Sequence, residues 1–278
     1  MAEIGKTNRL KVAEKAPYGL YLSAGELGEI LLPTRYCPKD AGVGDEVDAF
    51  IYYDSDDTLV ATTQKPPVEV GGFGLVKCVS IAGPGAFLDW GLQKDLLVPY
   101  SEQHRPLEEG RSYVVYAYLD SRSHRIVAST RLDRYLDNTP ADYKVGEEVD
   151  LLLCEQTDLG FKAIINSAHW GVIFADEIYQ KLRYGLRVKG YIKQVRDDGK
   201  INLSLQKVGY KRVDDLSERI LTMLKAEGGM LAVSDKSPPE TINKLFGVSK
   251  KAFKMAVGAL YRQRKIVLEK GTIRLSDD

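Results

Sequence analysis

From Val76 to Ser129 apolar and polar residues alternate in five short runs, and each break falls at a turn residue. Val76, Cys78 and the residues to Ile81 form the first run, and Gly83-Pro84-Gly85 supplies the positive-φ geometry of a tight connection. Ala86–Trp90 is the second, Gly91 turns the chain, and Leu96–Pro99 is the third. Ser112–Leu119 follows the polar Glu108-Glu109-Gly110, and Arg125–Ser129 follows the turn Asp120–His124. Five short strands with glycine corners predict a small closed barrel of the oligonucleotide/oligosaccharide-binding (OB) type.

The same pattern recurs on both sides. Gly19–Leu22 stands where Gly85–Leu88 stands, and Glu29–Pro33 matches Asp95–Pro99. Gly44–Tyr52 and Thr58–Thr63 complete that set, with residues 1–10 as a lead-in and Lys65-Pro66-Pro67 as a stiff linker. A third set opens at Gly146–Leu153, turns at Gly160–Ala163 and continues through Trp170–Phe174, Gly185–Lys193 and Ile201–Leu205. The repeat period is about 65–70 residues. After Gly209–Arg212 the apolar period changes from two to about 3.6. Leu216, Ile220, Leu221 and Leu224 mark a helix broken at Gly228-Gly229. Ser237-Pro238-Pro239-Glu240 reads as a capped helix start, Gly247 as its end, and Ser249 as the cap of a third helix running to about Lys265. Ile266–Leu275 is a hairpin turning at Lys270-Gly271, which completes a winged-helix order.

Composition narrows the function classes. At 278 residues, 44% hydrophobic and 28% charged, the chain suits two to four compact globular units. No apolar run approaches the roughly 20 residues of a membrane helix, and no signal-peptide core opens the chain, so a cytoplasmic protein is expected. Cys37, Cys78 and Cys154 stand apart, which favours packing of Cys78 and Cys154 over disulfide, zinc or redox roles. The net charge of +0 hides a gradient. Residues 1–70 carry 7 Lys/Arg against 12 Asp/Glu, residues 71–209 carry 18 of each, and residues 210–278 carry 14 against 9. The basic C-terminal part directs attention to nucleic acid.

Gly85-Ala-Phe-Leu88, then Asp95–Ser101, then Asp120 and Arg125–Ser129 together resemble an S1-type RNA-binding domain. Over nearly its whole length the chain resembles the conserved virulence factor B (YitL-like) family, S1-like repeats followed by a winged helix. That resemblance implies a multidomain, mostly β fold, with three tandem S1/OB-like five-stranded barrels followed by an α+β winged-helix domain. The boundaries read 1–65, 71–138, 144–209 and 214–278. It further implies RNA binding with a regulatory, post-transcriptional output. Two alternatives stand beside it: a DNA-binding transcription regulator acting through the winged helix, or a ribosome- or protein-associated adaptor.

On S1-like barrels unpaired bases stack on aromatics of the second and third strands. By position the strand-two site is Tyr21, Phe87 and Lys162, and the strand-three site is Pro33, Pro99 and Phe174, so each face is partial. Tyr21 and Phe87 have the alternative of simply covering their barrels. Alternation around Val188 and Ile192 sends Arg187, Lys189, Tyr191 and Lys193 outward, cations interleaved with a ring and with no acid between them. The third helix carries Lys250, Lys251, Lys254, Arg262, Arg264 and Lys265 without an acid. Its buried stripe reads Phe253, Val257, Leu260 and Tyr261, and Lys251, Met255, Gly258, Arg262 and Lys265 fall opposite. Gly258 costs about 1 kcal/mol relative to Ala inside a helix and is expected to permit close approach of a backbone. The cations on both elements are expected to be unpaired.

No catalytic arrangement is visible. His104, His124 and His169 are scattered, Gly71-Gly-Phe-Gly lacks the Lys-Ser/Thr of a phosphate loop, and no HExxH or GxSxG occurs. An enzyme, a metal site and a cofactor are therefore not expected. The expected partner is RNA, single-stranded or structured, with DNA or the ribosome as alternatives at the winged helix. No membrane partner is expected, and the oligomeric state is left open.

Overall fold

The computed structural model describes residues 1–178, 181–206 and 210–276, with side chains in the last segment described from 216 onward. Barrel 1 consists of β1 (Thr7–Ala16), β2 (Gly19–Ser23), β3 (Glu29–Pro33), β4 (Glu46–Tyr53) and β5 (Leu59–Thr62). Barrel 2 consists of β6 (Phe73–Ala82), β7 (Gly85–Asp89), β8 (Leu96–Pro99), β9 (Ser112–Leu119) and β10 (Ile126–Ser129). Barrel 3 consists of β11 (Glu148–Thr157), β12 (Gly160–Ile165), β13 (His169–Phe174), β14 (Arg187–Val195) and β15 (Ile201–Ser204). All three sheets close with the fifth strand between the third and the fourth. The pairs β3–β5, β8–β10 and β13–β15 are parallel, and the remaining neighbours are antiparallel.

One device closes each barrel. The long first strand must pair with the second strand at one end and the fourth at the other, and a register shift bends it. The shifts fall at Val12/Glu14, Cys78/Ser80 and Leu153/Glu155, the same place three times. A glycine then opens each second strand. A Cβ on Gly19, Gly85 or Gly160 would lie 2.2, 2.2 or 2.0 Å from the carbonyl oxygen of Leu32, Val98 or Ile173. No other residue fits that close approach. Alternate residues fill the interiors, for example Val149, Leu151 and Leu153 on β11 against Ile173, Ile192 and Leu203.

Two expectations for the N-terminal part change. The lead-in is built into the fold. β1 starts at Thr7, and the Gly5 amide donates to Ile51 O at 2.7 Å while its own carbonyl accepts from Val70 N at 2.8 Å. The proline linker is likewise packed: Pro66 is buried, and Val68 joins the cluster that contains Val76 and Trp90. That cluster also takes in Phe50, Tyr52 and Val60 of barrel 1. Phe50 and Trp90 meet edge to face at 5.7 Å. Residues Met1–Leu136 are accordingly one compact unit, and the chain from Asp137 onward is a second.

The C-terminal domain contains α1 (Tyr210–Ala226), β16 (Met230–Leu231), α2 (Pro239–Phe246), α3 (Lys250–Arg262), β17 (Ile266–Glu269) and β18 (Thr272–Leu275). Its sheet order is β16-β18-β17. Strand β16 was not anticipated, since two residues are too few to show alternation. Gly247 ends α2 in the left-handed region at φ 65°, and the Ser249 hydroxyl caps α3 by accepting from Ala252 N at 3.2 Å. Ser237 does not cap α2. Pro238 takes that position, and the Ser237 hydroxyl accepts from Ser234 N at 2.9 Å. Phe253, Val257 and Leu260 are buried as expected, but Tyr261 is 55% exposed. Among the described residues no helix is long and apolar enough to cross a membrane.

Candidate nucleic-acid interface

The second, third and fifth strands of each barrel bring one row of outward residues into register. In barrel 1 the row is Tyr21, Leu31 and Val60; in barrel 2 it is Phe87, Leu97 and Val127, and both valines are covered by neighbouring residues. In barrel 3 it is Lys162, Val172 and Asn202. Barrels 1 and 2 thus present a ring backed by aliphatics, whereas barrel 3 presents a cation and an amide.

Barrel 3 supplies its ring from a different position. Trp170 lies two residues before Val172 on β13, half-buried, and Lys162 Nζ sits 3.8 Å from the centroid of its ring. Phe174, two residues after Val172 and opposite Gly160, is also half-buried. These residues line a groove of about 700 Å³ that also meets Asn202, Arg196 and Lys200. Arg196 and Lys200 share Asp198, at 3.1 and 3.6 Å. Trp170 was missed as a site residue, although alternation back from Phe174 through Val172 was enough to place it on the same face.

On barrel 2, Phe87 and Leu97 line a cleft of about 450 Å³ whose far wall is Tyr52, Tyr53 and Ser55 of barrel 1. At its rim Asp57 pairs with Lys94, at 3.0 Å, and with Arg125. The Lys94 hydrogen bond, with Arg125 adding to it, holds the Asp57 carboxyl below its ordinary value. On barrel 1, Tyr21 meets Tyr18 edge to face at 6.2 Å, with their hydroxyls 3.3 Å apart. That contact raises the Tyr21 phenol above its ordinary value.

The two cationic elements differ. The β14 side chains do point outward, but they are not the unpaired set expected. Lys189 pairs with Asp150 at 2.8 Å, Lys193 with Glu177 at 2.8 Å, and the Tyr191 hydroxyl donates to Glu148 at 3.0 Å. Hydrogen bonds to those carboxylates raise both Lys189 and Tyr191 above their ordinary values. Asp150 and Glu148 come from β11, which runs antiparallel beside β14 with Asp150 opposite Lys189 and Glu148 opposite Tyr191, and Glu177 comes from the turn after β13. Arg187 stands opposite Leu152 and is exposed. By contrast, Lys251, Lys254, Arg262 and Lys265 are exposed and have no carboxylate partner among the described residues. Gly258 has open space around it, so among the described residues no segment makes the close approach expected there.

The other candidates have structural environments. His169 is buried, with Nδ1 2.9 Å from the Tyr143 hydroxyl and Nε2 2.7 Å from the Thr139 carbonyl; His104 and His124 are exposed. Cys78 and Cys154 are buried and Cys37 is half-buried. Burial raises the Cys78 thiol and pushes Cys154 up to about 12.

Comparison with known proteins fits this architecture. An S1 domain model matches residues 4–64 and 76–131, and a CvfB-like winged helix domain model matches residues 218–275. The Bacillus subtilis protein YitL is 31% identical over 283 residues, 96% of this chain and 92% of its own length. Conserved virulence factor B of Staphylococcus saprophyticus is 27% identical over 243 residues, 84% of this chain and 81% of its own. A solved multidomain protein with nucleic acid binding domains from Streptococcus pneumoniae is 22% identical, with 98% of each chain covered and a TM-score of 0.42.

Proposed function

This chain belongs to the conserved virulence factor B family, and on that premise we propose that it binds single-stranded RNA across its barrel faces, with a regulatory rather than chemical output. The observation that carries this reading is the barrel 3 groove. It sets two half-buried rings, Trp170 and Phe174, beside Lys162 and Asn202 on one outward face. Rings accept the π-face of any unpaired base, and the flanking cation meets the phosphate that follows it. Phe87 and Tyr21 serve as the stacking rings of barrels 2 and 1.

Lys251, Lys254, Arg262 and Lys265 act as phosphate contacts, because no acid among the described residues has to be displaced first. Arg187, Lys189, Tyr191 and Lys193 contribute less, since carboxylates already hold Lys189, Tyr191 and Lys193. The barrel and winged-helix domains run over 1–65, 71–138, 144–209 and 214–278, in a cytoplasmic protein that meets cellular RNA. The cations of α3, Lys251, Lys254 and Arg262, with Lys265 just beyond the end of a helix that stops at Arg262 rather than near Lys265, favour one second reading, duplex DNA bound through the winged helix.

Titration of the pure protein with matched single-stranded RNA, single-stranded DNA and duplex DNA over a salt series separates the two. RNA is expected to bind tightest, because the 2′-hydroxyl offers a contact that DNA lacks. Tightest binding to a duplex DNA fragment, with sequence preference, overturns the RNA reading.

A further inference from the structure

We infer that the acidic turn of barrel 1 stands in for a nucleic-acid phosphate on the face of barrel 2, so that Asp57 and RNA compete for Lys94 and Arg125. The inference rests on the RNA reading and adds a built-in competitor to it. The turn between β4 and β5 is tied by its own first residue: Asp54 Oδ1 accepts from the amides of Asp56 and Thr58, both at 2.9 Å. It sets Asp57 in the left-handed region, φ 58°, with one carboxylate oxygen on each cation. Lys94 Nζ also donates to Asp54 O at 2.6 Å, so the lysine is drawn onto the turn twice. Two oxygens on two cations is how a phosphate with two free oxygens would sit, at the rim of the cleft that holds Phe87.

The pairs are also exchangeable. The side chains of Lys94, Asp57 and Arg125 are 30%, 49% and 56% exposed, and ion pairs that open to solvent are weak. A strand of RNA whose base stacks on Phe87 would bring its phosphate to the position Asp57 now fills. Barrel 2 is therefore self-occupied in the free protein, and its affinity is set partly by barrel 1.

The test uses the full chain and a fluorescein-labelled oligouridylate. Asp57→Asn keeps a residue that tolerates the left-handed turn, and Asp57→Gly is a second variant that does so without strain. Asp56→Asn is the control: it removes the same charge from the same turn at a residue with no ion pair among the described residues. Either Asp57 variant is expected to tighten binding about fivefold, against less than about twofold for Asp56→Asn. The plot of log affinity against log salt steepens by about 0.7, for the one phosphate that the two freed cations hold. In a Lys94→Gln/Arg125→Gln background the Asp57 change has no further effect. The inference is overturned if wild type binds and the Asp57 variants match Asp56→Asn or bind more weakly. If neither wild type nor any variant binds, the RNA reading and the inference fall together.

Discussion

Truncation of Trp170 tests the groove of barrel 3 most sharply, because two opposing effects have to be weighed. A base stacked on an aromatic is worth about 1–3 kcal/mol by truncation. In the free protein the Lys162 ammonium already covers one face of this ring at 3.8 Å, an interaction worth about 0.5–1 kcal/mol at an exposed site. If the base takes that face, part of the stacking gain offsets the loss of the cation. Trp170→Ala should then weaken RNA binding by about 0.5–2 kcal/mol, or about 2- to 30-fold in Kd, with no change in salt slope. The half-buried ring should cost less stability than the roughly 3–5 kcal/mol of a fully buried one, so the variant remains folded. The chain has 2 tryptophans, which gives a direct optical readout. Trp90 is 3% exposed, with Nε1 donating to Lys94 O at 2.6 Å, and it offers little surface to the Phe87 cleft that it lines. RNA-dependent quenching should come mainly from Trp170 and fall sharply in Trp170→Phe, which retains a ring and binds within about twofold of wild type. A folded Trp170→Ala protein with wild-type affinity, or quenching that persists undiminished in Trp170→Phe, refutes the stacking argument.

Three further outcomes are expected. Replacing Lys251, Arg262 and Lys265 with Gln should flatten the salt slope by about two units, at 0.7 per phosphate, whereas the same change at Arg187, Lys189 and Lys193 should flatten it less; the reverse ranking in RNA titrations contradicts the pairing argument. Gly160→Ala places a Cβ 2.0 Å from Ile173 O and should destabilise the protein by more than about 1 kcal/mol in denaturant unfolding, and an unchanged midpoint would count against the corner geometry. Burial raises the thiols of Cys78 and Cys154, so at pH 8 a maleimide should label Cys37 in the native protein and all three cysteines in denaturant; rapid native labelling of Cys154 contradicts the barrel 3 packing.

The barrels were legible because their strands are short, alternate cleanly and turn at glycines that no other residue can replace. Gly85-Ala-Phe-Leu88 and Asp95–Pro99 carried the register to both neighbouring repeats. What stayed hidden depends on contacts distant in sequence. Lys189 meets Asp150 only because β14 folds back beside β11, so its lack of acidic neighbours along the strand was misleading. Asp57 reaches Arg125 across 68 residues, and neither local pattern nor charge count marks it. Ser237 and Pro238 both suit a helix start, and only the bond from Ser234 N shows which residue takes the cap. Trp170 was within reach of simple alternation, but carrying the strand-two position across the repeats led to Lys162 instead.

The most direct measurement of where RNA lies is ultraviolet cross-linking of the full chain to a single-stranded oligoribonucleotide, with the modified peptides identified by mass spectrometry. Rings in stacking contact should form the adducts, so the expected peptides carry Trp170 and Phe174 first, then Phe87. Adducts confined to α3 and the β17–β18 hairpin, with none on the barrel rings, would contradict RNA binding across the barrel faces.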